Sequence, residues 1–320
     1  MMHNNTISEI AKQISRASDI AVYCHTNPDG DALGSMLALY VLLKNKGKTV
    51  VCYCDTPVPD KYKCMYASES VSFPEKRVHE LAISVDCSDL DRLGQCMKSF
   101  LAAKSTIAID HHVSFRRFAA LCYVDSSASA CAEIVFELAK ELKGIDDHVA
   151  KLLFSGIVTD SCCFTLPNTT KRTHEIACEL LEYDFDGADV IYKVFRSTTF
   201  ERFKLKAIAL SKARFFHDNR IAVIAITIDD FTKSGATQSD SEGIVNELLD
   251  INSVEVALCL SQVGTHNFKL SIRTKGEVNA IEIANEFGGG GHKNAAGCRV
   301  NGYMEDIVEK LVRLASNLLY

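Results

Sequence analysis

The stretch His25-Thr26-Asn27-Pro28-Asp29-Gly30-Asp31-Ala32-Leu33-Gly34-Ser35 follows an apolar run at 20–24 and leads into a helical pattern at 32–46. Asn-Pro-Asp-Gly is turn chemistry, and Asp31 is suited to cap the helix that follows. A capped turn accounts for one carboxylate. It leaves a second carboxylate and an imidazole crowded at the end of a strand, where they would repel or waste solvation unless a cation collects them. Borderline and hard divalent ions favour such an oxygen-plus-imidazole set.

Outward from this turn the same placement recurs. Asp86 closes the run Leu81-Ala-Ile-Ser-Val85, and Asp110-His111-His112 closes Thr106-Ile-Ala-Ile109. Asp160 ends the run 152–159, which reads as another such site. Any one of these aspartates is ordinarily a turn residue or a cap. Further β-branched runs at 49–53 and 121–124, with helical patterns at 130–142 and 148–158, give strand–helix alternation. That alternation predicts a mainly parallel sheet flanked by helices. In such folds the binding crevice lies beyond the carboxyl ends of the strands, so the acidic and imidazole groups converge on one edge. Their number suits two cations sharing one carboxylate.

The second half has a different texture. A charged helical stretch with Lys193, Arg196, Arg202, Lys204 and Lys206 reads as a link between domains. Strands are expected at 221–228, 254–262 and 268–273, and helices at 241–250, 279–286 and 304–319. This gives an N-terminal domain at 1–190, a helical linker at 191–214 and a smaller α/β domain at 215–320. The run Gly288-Gly289-Gly290-Gly291, next to His292, Lys293 and Asn294, reads as a turn with exposed N–H groups, a nest for phosphate.

Composition bounds these readings. At 320 residues, two domains are the default, and 47% hydrophobic with 24% charged residues is ordinary globular composition. The net charge of −6 argues against a grip on long nucleic acid, which needs a basic surplus. Neither a membrane-length apolar run nor a signal-peptide core is present, and residues 1–16 read as an amphipathic helix. Thirteen scattered cysteines, without CxxC pairs, fit a reducing cytoplasm better than a disulfide framework.

Taken in order, His25-x-Asn-Pro-Asp29-x-Asp31, Asp86, Asp110-His111-His112 and Thr159-Asp160 resemble the four motifs of the DHH phosphoesterases. Gly288-Gly-Gly-Gly291-His292 with Ala295-Ala-Gly297 resembles the glycine-rich motif of the associated DHHA1 domain. The resemblance covers essentially the whole chain, and its architecture is most similar to the nanoRNase/pAp-phosphatase branch. It implies an active site in the interdomain cleft. It also implies two divalent ions, manganese with magnesium as the alternative, with His25 and Asp29 on one, Asp31, His111 and Asp160 on the other, and Asp86 bridging.

By the same resemblance Asp110 orients an imidazole, and His112 faces the phosphate and either stabilises charge or protonates the leaving oxygen. Water attacks phosphorus in line, with no covalent enzyme intermediate. Arg273, Gly289, Gly290, Gly291 and His292 would hold a terminal phosphate or nucleotide. The implied substrates are short oligoribonucleotides, linear dinucleotides such as pApA or pGpG, and 3′-phosphoadenosine 5′-phosphate. A homodimer is left open. Alternatives are a cyclic-dinucleotide phosphodiesterase, a manganese-dependent pyrophosphatase and, disfavoured by the intact ligand positions, a non-catalytic nucleotide sensor.

Two departures from the family pattern stand out. Thr159-Asp160 continues as Ser161-Cys162-Cys163-Phe164, without the usual glycine. The paired histidines are followed by Val113-Ser114-Phe115-Arg116-Arg117-Phe118. Glu133 reads as a structural hydrogen-bonding residue, and His174, His217 and His266 as ordinary histidines.

Overall fold

The short β-branched runs of the first half form β1 (Asp19–Tyr23), β2 (Thr49–Tyr53), β3 (Val71–Ser72), β4 (Leu81–Val85), β5 (Ser105–Asp110) and β6 (Leu121–Val124). They assemble in the order β3-β2-β1-β4-β5-β6, every pair parallel. In this computed structural model, residues 4–319 are described, apart from the side chain of His292. The chain divides into two units at Ser197/Thr198, inside the stretch 191–214.

Both faces of the first sheet are covered, which is why its strands are apolar throughout. Ile20 and Val22 of β1 join one core, with residues of α1 (Ile7–Arg16), α2 (Gly30–Asn45), α4 (Cys131–Glu141) and α5 (Asp147–Asp160). Ala21 and Tyr23 point the other way, into a core with Phe100 of α3 (Met97–Ala102). The expected first helix starts at Ile7, where Thr6 and Glu9 form a capping box; residues 1–3 of that expectation lie outside the described residues. Helices α6 (Lys171–Leu180) and α7 (Gly187–Ile191) complete the unit.

The strand order reverses between β1 and β4, so this topological switch point is where a crevice opens at the carboxyl ends. His25 leaves β1 there, and Asp86 leaves β4. Asp160 departs from the expected pattern. It is the last residue of helix α5, not the end of a strand, because the run 152–159 packs along α2 as helix. Asp31 is likewise not the cap of α2. Asp29 is, accepting from the N–H groups of Asp31 and Ala32.

The second unit begins with α8 (Phe200–Ser211), whose Leu205 and Ala209 are buried with Ile224 and Phe231. Its sheet comprises β7 (Arg214–Phe216), β8 (Ile221–Ile226), β9 (Val256–Gly264), β10 (Asn267–Thr274), β11 (Gly290–His292) and β12 (Ala295–Asn301). The order is β11-β12-β10-β9-β8-β7, antiparallel except for β8–β9. The strand expected over 221–228 stops at Ile226, because Thr227 and Asp230 form a capping box for α9 (Ile228–Ser234). Helices α10 (Ile244–Leu249), α11 (Ala280–Asn285) and α12 (Met304–Asn317) pack on this sheet.

The glycine run is more ordered than a turn. Gly290 to His292 pair with β12 as the edge strand β11. A Cβ on Gly291, at φ +150°, would come within 2.4 Å of the Ala295 carbonyl oxygen, so the two backbones approach as only glycine allows. An edge strand keeps one side of its backbone groups unpaired. The run thus retains exposed polar groups, although it is not an open nest.

Candidate metal centre

His25, Asp29, Asp31, Asp86, His111 and Asp160 reach one small volume from five different places in the first unit. Three overlapping triads form there: His25, Asp29 and Asp86; Asp31, His111 and Asp160; and Asp86, His111 and His112. Within each, potential ligand atoms lie within 4.8 Å of one another. Asp86 belongs to two of the triads on either side of the volume. Its Oδ2 is 3.7 Å from His25 Nε2, and its Oδ1 is 3.5 Å from His111 Nε2.

Each donor is held in place by the backbone around it. The Nδ1 of His25 lies 2.8 Å from the Thr26 carbonyl and that of His111 lies 3.2 Å from the Ala128 carbonyl. Those contacts select Nδ1–H tautomers and leave both Nε2 atoms able to act as ligands. Asp29 spends Oδ1 capping α2 and turns Oδ2 toward His25 Nε2, 3.7 Å away. Asp86, directly after β4, has φ +52°, a left-handed conformation that aspartate tolerates better than most side chains.

Asp31 is fully buried. Its Oδ2 accepts from the Cys131 N–H at 2.6 Å and its Oδ1 from the Ala132 N–H at 2.9 Å. These are unpaired donors in the first turn of α4, where a carboxylate is favoured. The segment before that turn is fixed by Glu133, which accepts from both the N–H and the hydroxyl of Ser129. One short segment, 128–133, therefore positions both His111 and Asp31. Sequence reading had placed Glu133 in a structural hydrogen-bonding role but missed the donor amides of Cys131 and Ala132. The small-residue run Ser127-Ala-Ser-Ala-Cys131 ahead of a helix was the available signal.

Asp110 stands apart from the donors. Its Oδ1 accepts from His112 Nδ1 at 2.8 Å, and its Oδ2 is buried without a hydrogen-bond partner among the described residues. The Oδ1 contact occupies the Nδ1 of His112 and leaves its Nε2 for other partners.

The electrostatics are those of a site short of positive charge. Burial, then the charges of Asp86 and Asp160, push the Asp31 carboxyl well above the usual carboxylate range. Burial also raises Asp160, to about 6, against the pull of His111. Burial alone would lower His111; the adjacent Asp86 carboxylate, with the charges of Asp31 and Asp160, outweighs that and raises it to about 10. Asp86 Oδ1 is buried with no hydrogen-bond partner among the described residues. Buried carboxylates of this kind are satisfied by a metal ion, so the donor set fits divalent cations.

The altered turn after Asp160 runs through three left-handed residues, Cys162, Cys163 and Phe164, at φ +46°, +56° and +65°. The Ser161 hydroxyl accepts from the Phe164 N–H, closing the turn without glycine. In the second unit, Arg273 is partly buried on β10, paired across to Ala295 of β12, and burial lowers its pKa. Gly290 and Gly291 lie on the neighbouring edge strand and Gly289 just before it. The backbone of His292 ends that strand, and its side chain lies outside the described residues.

Comparison with known proteins agrees with this architecture. The N-terminal domain model of the DHH family matches residues 19–157, and the DHHA1 domain model matches 218–319. The chain is 31% identical to a probable bifunctional oligoribonuclease and PAP phosphatase NrnA of Streptococcus mutans, covering 95% of this chain and 97% of that one. It is 32% identical to the corresponding protein of Thermus thermophilus, covering 92% and 88%. An exopolyphosphatase-related protein from Bacteroides fragilis superposes with a TM-score of 0.90 at 28% identity, over 97% of this chain and 95% of that one. The exonuclease RecJ bound to manganese shares the fold at a TM-score of 0.55 and 15% identity, over 99% and 95%. The chain belongs to the DHH/DHHA1 phosphoesterases, in the branch of the bifunctional oligoribonucleases and PAP phosphatases.

Proposed function

We propose that this protein hydrolyses short oligoribonucleotides, including linear dinucleotides such as pApA and pGpG, to mononucleotides, and 3′-phosphoadenosine 5′-phosphate to AMP. The observation that carries this reading is the pair of donor triads on either side of Asp86, in a chain similar over nearly its full length to proteins bearing that name.

In this reading His25 and Asp29 would hold one ion and Asp31, His111 and Asp160 a second, with Asp86 shared between them. Imidazole donors favour manganese over magnesium. When bound, such ions activate water for attack on phosphorus and neutralise charge on the phosphoryl oxygens. The protein's own residues do the rest. Asp110 holds His112 in one tautomer, and the resulting hydrogen bond raises the pKa of that imidazole. His112 then carries a proton at Nε2 for the leaving oxygen. Asp31, anchored on the α4 amides, keeps its place as substrate comes and goes. Arg273, Gly289, Gly290, Gly291 and His292 receive the terminal phosphate or nucleotide, which favours short substrates.

The test is a panel of 3′-phosphoadenosine 5′-phosphate, pApA, pGpG, RNA pentamers, cyclic di-AMP and pyrophosphate, assayed with manganese. The expected result is turnover of the first four, with little action on the last two or on long RNA. No hydrolysis of pApA, short RNA or 3′-phosphoadenosine 5′-phosphate would overturn the reading.

A further inference from the structure

The Nδ1 of His112 lies 2.8 Å from Asp110 and 3.6 Å from Asp86, at the metal donors. His112 is also among the residues lining a cavity of about 190 Å³. That cavity is walled by Val113, Phe115 and Val124, with Asn4 and Arg117 also lining it. Val113 is 86% exposed directly beside the catalytic imidazole. Phe115 is buried and packs against Phe118, so its ring is a fixed wall.

Polar groups at this cavity are largely committed elsewhere. The Asn4 amide donates to the Val124 carbonyl and accepts from the Val124 N–H, both at 2.8 Å, so it lies along the edge of β6. Arg117 donates to the Ala120 carbonyl. The volume is below the roughly 300–1,000 Å³ of sites for drug-sized ligands, so it takes a single ring system.

We propose that this cavity is the subsite for the nucleobase of the leaving nucleoside, and that it accepts any base. The proposal rests on the hydrolytic function given above. In an in-line displacement, water bonds to phosphorus on one side while the phosphorus–oxygen bond to the nucleoside breaks on the other. The departing oxygen takes its proton from His112, so the leaving nucleoside lies on the His112 side, where this cavity begins. Apolar walls beside Asn4 and Arg117 groups already engaged with the backbone stack a ring without reading its edges, and stacking of this kind is tolerant of base identity.

The test compares dinucleotides pApA, pGpA, pCpA and pUpA, whose leaving group is the O3′ of the 5′ nucleotide, with an analogue of pApA whose 5′ sugar carries no base. Wild-type kcat/KM is expected to be similar for the four bases and about 10-fold lower for the abasic analogue. Ser126→Trp, from an exposed position lining the cavity, should lower kcat/KM for the four dinucleotides by a clearly larger factor than for the abasic analogue. Phe115→Leu serves as a second variant that keeps an apolar core residue. Equal wild-type rates with and without the base, or equal losses in the variants on both kinds of substrate, would overturn the subsite. A wild-type enzyme inactive on all of them would instead overturn the function on which it rests.

Discussion

Asp86 combines three properties rarely found together in one carboxylate. It is buried, its backbone is left-handed, and its two oxygens face imidazoles on opposite sides. Asparagine has nearly the same shape and tolerates the same backbone region, so Asp86→Asn tests the charge without the geometry. The expected outcome is a folded protein with unchanged circular dichroism, at least about 10³-fold lower kcat, and less than the wild-type metal content by elemental analysis. Activity within a few-fold of wild type would show that Asp86 does not bridge.

At the scale of elements, the site depends on how closely two helices meet. Asp31 sits in the first turn of α2 and Asp160 ends α5, so the spacing of those helices sets the spacing of two candidate ligands in His111's triad. A Cβ on Gly34 would lie 2.6 Å from the Leu152 carbonyl oxygen and 2.9 Å from the Gly156 nitrogen, both backbone atoms. Gly34→Ala should therefore push α2 and α5 apart, costing about 1–3 kcal/mol, and weaken metal binding by about tenfold in calorimetric titration. Gly47→Ala is the control. Gly47 lies at φ +75° in open space, so alanine there should cost about 1 kcal/mol through backbone strain and leave metal affinity unchanged. Equal metal affinity in the two variants would show that the helix seam does not set the site.

For the whole molecule, proton binding at the centre couples to stability. The Asp160 carboxyl, raised from 3.8 to about 6, favours the native state at low pH, and that contribution is lost as pH rises toward 6. His111, raised from 6.5 to about 10, acts in the same sense at higher pH. The metal-free native chain thus holds more protons than the unfolded chain across these windows, and its stability falls as pH rises. Divalent cations replace those protons and bind more tightly as pH increases. The increase in Tm on adding manganese should be clearly larger at pH 8 than at pH 5.5. An increase independent of pH, or larger at pH 5.5, would contradict the coupling.

Much of this molecule was legible in local sequence. Strand–helix alternation with strands apolar on both faces pointed to a covered parallel sheet, and the turn His25 to Asp31 announced a charged strand end at its switch point. Periodicity is a local property, and so is the chemistry of a turn. What sequence left open depended on atoms distant along the chain. The helical pattern at 148–158 was legible, but Asp160 was grouped with the strand-end donors, and only packing of α5 on α2 through Gly34 and Gly156 shows that it reaches them from a helix end. The glycine run read as a loop because its partner, β12, was not recognised. The anchoring of Asp31 lay beyond sequence reading for the same reason. Its partners, the amides of Cys131 and Ala132, are a hundred residues away and carry no side-chain signature. The sequence by itself determined which donors exist and on which edge they emerge. The tertiary structure decided which of them face each other, because helix spacing and backbone donors, not residue identity, set the distances between buried charges.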